Sequence, residues 1–225
     1  MDDRPNDADP AGLRWETVER RSSHACEAFE VLTDRVRLPG GSETTYDHVV
    51  EPPSVVVLPL VAPDADVTAD PLRWPAPATP DGDDREPAAD DADSDGGATD
   101  DRRVVLVEEW RQAVDRVNRG LPAGGLEPGE DPLAAARREL REETGFSAAG
   151  VEPLVSVEPA NGIGNQLLHH VLARGCRPDA ERDLDDDESI RVRVGRLGAL
   201  REAVAAGRVW DGRTVTGVLY HRLHG

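Results

Sequence analysis

Between Gly124 and Phe146 the chain reads GGLEPGEDPLAAARRELREETGF, which sets Glu130, Glu139, Glu142 and Glu143 around one arginine, Arg138. Pro132 suits the first turn of a helix, where its missing N–H is no loss, and Leu133, Ala136 and Leu140 then recur as an apolar stripe. Gly145 is placed to stop that helix. Glu139 precedes Glu142 and Glu143 by one turn, so three carboxylates crowd one region of the surface and repel. Arg138, four residues before Glu142, is placed to pair with it. In an ordinary Glu-rich helix such residues form a solvated face, because Glu is mostly exposed. Here the glycine-rich approach and the fixed spacing point instead to a hard-cation site, since clustered carboxylate oxygens suit Mg²⁺ or Mn²⁺.

Gly124, Glu130, Arg138-Glu139-Leu140, Glu142-Glu143, Gly145 and Phe146 together resemble the signature of the Nudix hydrolases at all nine specified positions. The resemblance implies an α/β/α sandwich around a mixed β-sheet, and metal-dependent hydrolysis of a nucleoside diphosphate linked to another moiety. It also implies Glu139 and Glu143 as principal metal ligands, the Ala123 carbonyl as a third donor, and Glu142 as ligand or base. Arg138 would orient Glu142, and Glu130 would hold the loop and helix together, with Gly124 and Gly145 shaping the backbone. It covers residues 54–223 without the insert described below and, more weakly, residues 13–50.

Other segments resemble the ADP-ribose pyrophosphatase branch. In Glu108-Glu-Trp-Arg-Gln-Ala-Val114, Arg111 takes the position of a substrate-binding arginine, with an idle surface arginine as the alternative. Leu121-Pro-Ala-Gly-Gly125 resembles the loop leading to the box helix, but Gly120 stands where that branch commonly has Glu. Glu158-Pro-Ala-Asn-Gly-Ile-Gly-Asn165 only loosely resembles the Ser-Pro-Gly turn of relatives. The acidic loop 183–188 falls where a general base can be supplied, by Glu188 or Asp186, with plain surface acids as the alternative. The small N-terminal sheet of this branch often exchanges with a dimer partner, which implies a homodimer.

The elements that must position these groups are legible in part. Residues 1–12 read as a disordered acidic N-terminus. Residues 13–53 read as a β-hairpin region, with strands at 28–38 and 43–50 around Pro39-Gly40-Gly41. The apolar run Ser54–Val61 is the mark of a strand buried on both faces, and Arg103–Trp110 is its expected hairpin partner. From about 63 to 102 lies an expected disordered acidic insert, with ten acids and one arginine between Asp81 and Asp101. Strands follow at 151–157 and 167–173, and helices at 196–206 and 213–223. His169 and His170, adjacent on a strand, point to opposite faces and do not form a metal pair.

Composition narrows the function. Forty-five acids against 26 bases give a net charge of −19, and every base is Arg. Such a surface disfavours nucleic acid and anionic membrane and fits a halophilic protein. Two cysteines without a CxxC pattern read as free thiols rather than a zinc site. No basic-apolar leader and no membrane-length apolar run are present, so a cytoplasmic location is expected. Two readings compete with an ADP-ribose hydrolase. One is a nucleotide-sugar-binding sensor on the same fold, disfavoured by the intact carboxylates and by the lack of a DNA-binding module. The other is a hydrolase of other nucleotides, disfavoured by the N-terminal hairpin.

Overall fold

The computed structural model describes residues 12–70, 74, 100–184 and 189–224. The expected disordered N-terminus, most of the acidic insert, and Asp186 and Glu188 lie outside the described residues. The chain forms two compact units, one of residues up to Pro52 together with Glu158–Leu167, the other of Pro53–Val157 and Leu168–Gly225.

In the first unit, β1 (Glu16–Ala25), β2 (Glu30–Arg37) and β3 (Glu43–Val50) form an antiparallel sheet in the order β1-β2-β3. The expected two-strand hairpin is present and gains a third strand. β1 escapes sequence reading because it is polar and nearly all exposed, with no alternating apolar face. Cross-strand charge fixes its register instead. Arg20 grips the buried Asp34 with two hydrogen bonds, Nε to Oδ1 at 2.7 Å and Nη2 to Oδ2 at 2.6 Å. Those bonds hold the Asp34 carboxyl below its usual range. The segment 158–167 returns to β3 in this unit. The Val49 N–H donates to the Ile163 carbonyl at 2.9 Å, and the Asn165 side chain accepts from the Glu51 N–H at 2.9 Å.

The second unit is built on β4 (Ser54–Val61), β5 (Arg103–Arg111), β6 (Arg116–Gly120), β7 (Ala123–Gly125), β8 (Gly150–Val157), β9 (Leu168–Cys176) and β10 (Ile190–Arg196). They form a mixed sheet in the order β10-β5-β4-β9-β8, with β6 on β5 and β7 on β4. Strand alternation sorts the core into two layers. Val55, Val57 and Val61 pack with Ala135, Ala136 and Leu140 of α1 (Pro132–Thr144). Val56, Leu58 and Leu60 pack with Leu197, Leu200 and Ala203 of α2 (Leu197–Ala205) and Val218 of α3 (Gly212–His224). The expected α/β/α sandwich is therefore present. The expected antiparallel partnership of β4 with β5 is present, through Leu60 and Val104, and β4 gains an unexpected second and longer neighbour, running parallel to β9 from Ser54/Leu168 to Val61/Cys176. A run apolar on both faces reveals burial but not its neighbour. Among the described residues, no helix is long and apolar enough to cross a membrane.

Part of the expected insert belongs to the packed domain. The Arg103 guanidinium donates to the carbonyls of Ala62 (2.7 Å), Pro63 (2.9 Å), Ala65 (3.0 Å) and Val67 (2.5 Å). The Asp70 N–H donates to the Val194 carbonyl at 2.7 Å, and Trp74 packs against the α2/α3 layer. On the return side, Asp100 accepts from Arg201 at 2.7 Å and, through its carbonyl, from the Gly198 N–H at 3.0 Å. A stretch starting at 63 is thus too generous, and a deletion of 66–100 would remove the contacts of Val67, Asp70, Trp74 and Asp100.

Two buried histidines make the α3 layer sensitive to acid. His170 on β9 offers Nε2 to the Arg213 carbonyl at 3.0 Å, and neither ring nitrogen of His221 on α3 has a hydrogen-bond partner among the described residues. Burial depresses both from the ordinary histidine value; Arg102, Arg201 and Arg174 push His221 the same way, and Asp100 opposes them. With the folded pKa below the unfolded one, the stabilisation is fully present above about pH 6.5 and is lost as pH falls, at up to about 1.4 kcal/mol per unit for each ring. Urea unfolding at pH 7.5 and 5.5 should show this loss, with a smaller slope in His221→Leu. A flat profile over that window would place both pKa values at their ordinary level.

Candidate active site

The site begins with how α1 is started and stopped. The Asp131 carboxylate caps it by accepting from the Leu133 and Ala134 N–H groups at 2.9 and 3.2 Å, Pro132 follows in the first turn, and Gly145 ends it in a left-handed turn at φ 74°. A side chain at Gly145 would also meet the Ala180 carbonyl. With Ala135, Ala136 and Leu140 turned into the core, Glu139 and Glu143 are carried to its rim, only 8% and 3% exposed.

Both carboxylates lie against the backbone of β7. The Ala123 N–H donates to Glu143 Oε2 at 3.1 Å. The Glu139 carboxyl group occupies the space that a Cβ at position 124 would need, so any larger residue there would displace that carboxylate. β7 is itself fixed on β4 by the pairs Ala123/Val56 and Gly124/Val55. The box glycine and the box acids are therefore one packed unit.

Arg138 ties the remaining acids together. Its Nε and Nη2 reach the two oxygens of Glu130 at 3.0 and 2.9 Å, and Nη2 also reaches the Gly125 carbonyl at 2.8 Å. Its Nη1 bridges Glu139 Oε1 at 2.7 Å and Glu142 Oε2 at 3.1 Å. Helical spacing shows the Glu142 pair; the Glu139 contact joins neighbours on α1, and the partnership with Glu130 depends on the loop fold. Glu130 accepts from the Glu127 N–H at 3.0 Å as well. The hydrogen bonds from Arg138 hold the Glu130 carboxyl below its ordinary pKa, and those to Glu130 raise Arg138 despite its burial.

Among the described residues, no three acidic, His or Cys side chains converge as a finished metal cage. The donors nonetheless fit a hard cation. They are oxygens alone, two of the carboxylates are buried, and Glu139 and Glu142 already share one positive group at Arg138 Nη1.

A family model described as NUDIX domain matches residues 97–215. The chain belongs to the Nudix family. The Nudix chain is 32% identical over 126 residues to a methanol dehydrogenase activator of Bacillus methanolicus, covering 56% of this chain and 68% of that one. It is 31% identical, with the same coverage, to an ADP-ribose pyrophosphatase of Bacillus subtilis. The crystal structure of an ADP compounds hydrolase superposes with a TM-score of 0.68 at 18% identity, covering 93% of each chain, which shows a shared fold.

Among the other candidate residues of this Nudix protein, Arg111 stands outside the carboxylate cluster. Arg111, at the end of β5, pairs with Glu109 at 2.6 Å, and its buried Nε has no hydrogen-bond partner among the described residues. Asp186 and Glu188 lie outside the described residues, yet both flanks of their segment are fixed. The Asp183 N–H donates to the Glu142 carbonyl at 3.1 Å, and Ile190 pairs with Glu109 across β10 and β5. Asp183 is thus held at Glu142 of the box helix and Ile190 at Glu109, two residues from Arg111. Sequence reasoning missed Glu108, which is buried and bonded by Arg119 and by Arg193 Nε at 3.1 Å. Burial pushes its carboxyl up, but the guanidinium bonds outweigh that and hold it below its ordinary range. Alternation along β5 could have placed Glu108 on one face, but not its arginine partners on β6 and β10.

Proposed function

We propose that this Nudix hydrolase cleaves the pyrophosphate bond of ADP-ribose, giving AMP and ribose 5-phosphate, with Mg²⁺ as cofactor and Mn²⁺ able to replace it. The observation that carries the reading is the cluster of carboxylate oxygens, with Glu139 and Glu143 buried against the 123–124 backbone and Glu142 joined to Glu139 through Arg138, a donor set of the kind that suits a hard divalent cation. In this reading Glu139, Glu143 and the Ala123 carbonyl hold the ion, with Glu142 on its more exposed flank as further ligand or base. When bound there, a divalent cation neutralises the diphosphate oxygens and lowers the pKa of attacking water.

The chain's own groups do the rest. Gly124 leaves room for the Glu139 carboxylate, and Arg138 keeps Glu139 and Glu142 at a set spacing. The base is assigned to Glu142 or to the acidic loop, through Asp186 or Glu188, which the anchor of Asp183 on Glu142 supports. Arg111 is assigned to the substrate, as a planar donor suited to phosphate. ADP-ribose is favoured by the relative of that activity in Bacillus subtilis, and a homodimer by the resemblance of the N-terminal sheet.

The test is Mg²⁺-dependent hydrolysis, at high salt, of ADP-ribose, other nucleoside diphosphate sugars and nucleoside triphosphates, with products resolved by chromatography. ADP-ribose should show the highest kcat/KM and yield AMP. A triphosphate preferred by about tenfold, roughly 1.4 kcal/mol of transition-state binding, would refute the substrate assignment.

A further inference from the structure

The N-terminus of α3 reaches the loop that leads into the box helix. The Thr214 hydroxyl accepts from the Leu121 N–H at 2.9 Å and donates to Asp211 Oδ2 at 2.7 Å. Asp211 also accepts from the Thr214 N–H at 3.3 Å and from Arg213 Nε at 3.1 Å. Thr214 is fully buried. The place where a Cβ of residue 120 would stand is filled by Asp211 Oδ2 and Thr214 Oγ1, at 2.6 and 2.7 Å, so glycine at 120 is what lets α3 approach.

The loop is also tied to β4 and α1. The Pro122 carbonyl accepts from the Val57 N–H at 2.9 Å, and the Ala123 N–H is bonded to Glu143. Leu121 is therefore held by α3, Pro122 by β4, and Ala123 by both β4 and α1. Leu121 lies two and three residues before the Ala123 contact with Glu143 and the Gly124 contact with Glu139, the two contacts on which the proposed ion site rests.

We propose that Thr214, set by Asp211, is a positioning residue for the ion site, acting through the Leu121 N–H on the 121–124 backbone. This rests on the assignment of Glu139, Glu143 and Ala123 as the ion-binding groups. It predicts that the Thr214 hydroxyl governs metal affinity more than substrate affinity, although Thr214 lies on the opposite helical layer from α1.

The test compares Thr214→Val, which keeps the shape and removes the hydroxyl, with Thr214→Ser, which retains it. Mn²⁺ affinity is read by electron paramagnetic resonance on substrate-free protein, and kcat, KM and the Mg²⁺ requirement are read with ADP-ribose. Thr214→Val should bind Mn²⁺ about tenfold more weakly, close to 1.4 kcal/mol, and need correspondingly more Mg²⁺, with KM at saturating Mg²⁺ within about twofold of wild type. Thr214→Ser should restore wild-type values. Should Thr214→Val not fold, Asp211→Asn, which keeps a good helix cap, should weaken Mn²⁺ binding in the same direction. A lowered thermal midpoint with unchanged Mn²⁺ affinity overturns the proposal, as does Thr214→Ser behaving like Thr214→Val. A wild-type protein that binds Mn²⁺ but hydrolyses no ADP-ribose defeats the substrate assignment alone, because the Mn²⁺ comparison still decides the role of Thr214. A wild-type protein that binds no Mn²⁺ overturns both the ion site and the proposal.

Discussion

Glu143→Gln should fold as well as wild type and lose about a thousandfold in Mg²⁺-dependent turnover, some 4 kcal/mol of barrier. The amide keeps the length and shape of the carboxylate and can still accept from the Ala123 N–H, so the 3.1 Å contact survives. What disappears is the negative charge, in a place 3% exposed, where little water could replace it. Without metal the thermal midpoint should hold or rise slightly, because Glu139 and Glu142 lie within one turn and like charges there repel. Adding Mg²⁺ should raise the midpoint of wild type more than that of the variant. Near-normal turnover would remove Glu143 from the ion site and with it the proposed mechanism.

Arg138→Ala tests the other half of the cluster. The guanidinium makes five hydrogen bonds, to Glu130, Glu139, Glu142 and the Gly125 carbonyl. Its removal leaves three carboxylates crowded in a partly buried site, which should lower stability by about 3 kcal/mol in chelator. Excess Mg²⁺ should recover part of that loss by binding the folded state. Arg138→Lys should recover little, since a single ammonium cannot match a planar fork aimed at four acceptors. Urea unfolding with and without Mg²⁺ measures all three, and an alanine variant as stable as wild type in chelator would show that the acids tolerate one another unaided.

The box helix was legible because its information is local. Pro132, the Leu133/Ala136/Leu140 stripe and Gly145 each act within one or two turns, and the structure places α1 from Pro132 to Thr144. The buried run Ser54–Val61 was legible for the same reason. What sequence could not show are partnerships made across the chain. β1 has no apolar periodicity, and its place depends on Arg20 finding Asp34 on β2. The parallel partner of β4 lies more than a hundred residues further on. At the site, the spacing showed that Glu139 and Glu142 share a surface, but not that Glu139 fills the missing side chain of Gly124. Asp211 and Thr214 carried no signal at all, since an Asp-Gly-Arg-Thr sequence reads only as the start of a helix.

Arg103 holds the segment after β4 by hydrogen bonds to four main-chain carbonyls. Its grip is therefore blind to which amino acids stand at 62, 63, 65 and 67. It also fixes the point of departure close to β5, where the chain resumes, so chain added between the two adds only a slowly growing closure cost, about 0.6 kcal/mol for each doubling. This makes the β4–β5 connection a port of growth in the gene. Changes of length between Trp74 and Asp100, which leave the contacts of Val67, Asp70, Trp74 and Asp100 in place, should therefore be tolerated, with the carboxylate cluster, built from other connections, keeping its geometry.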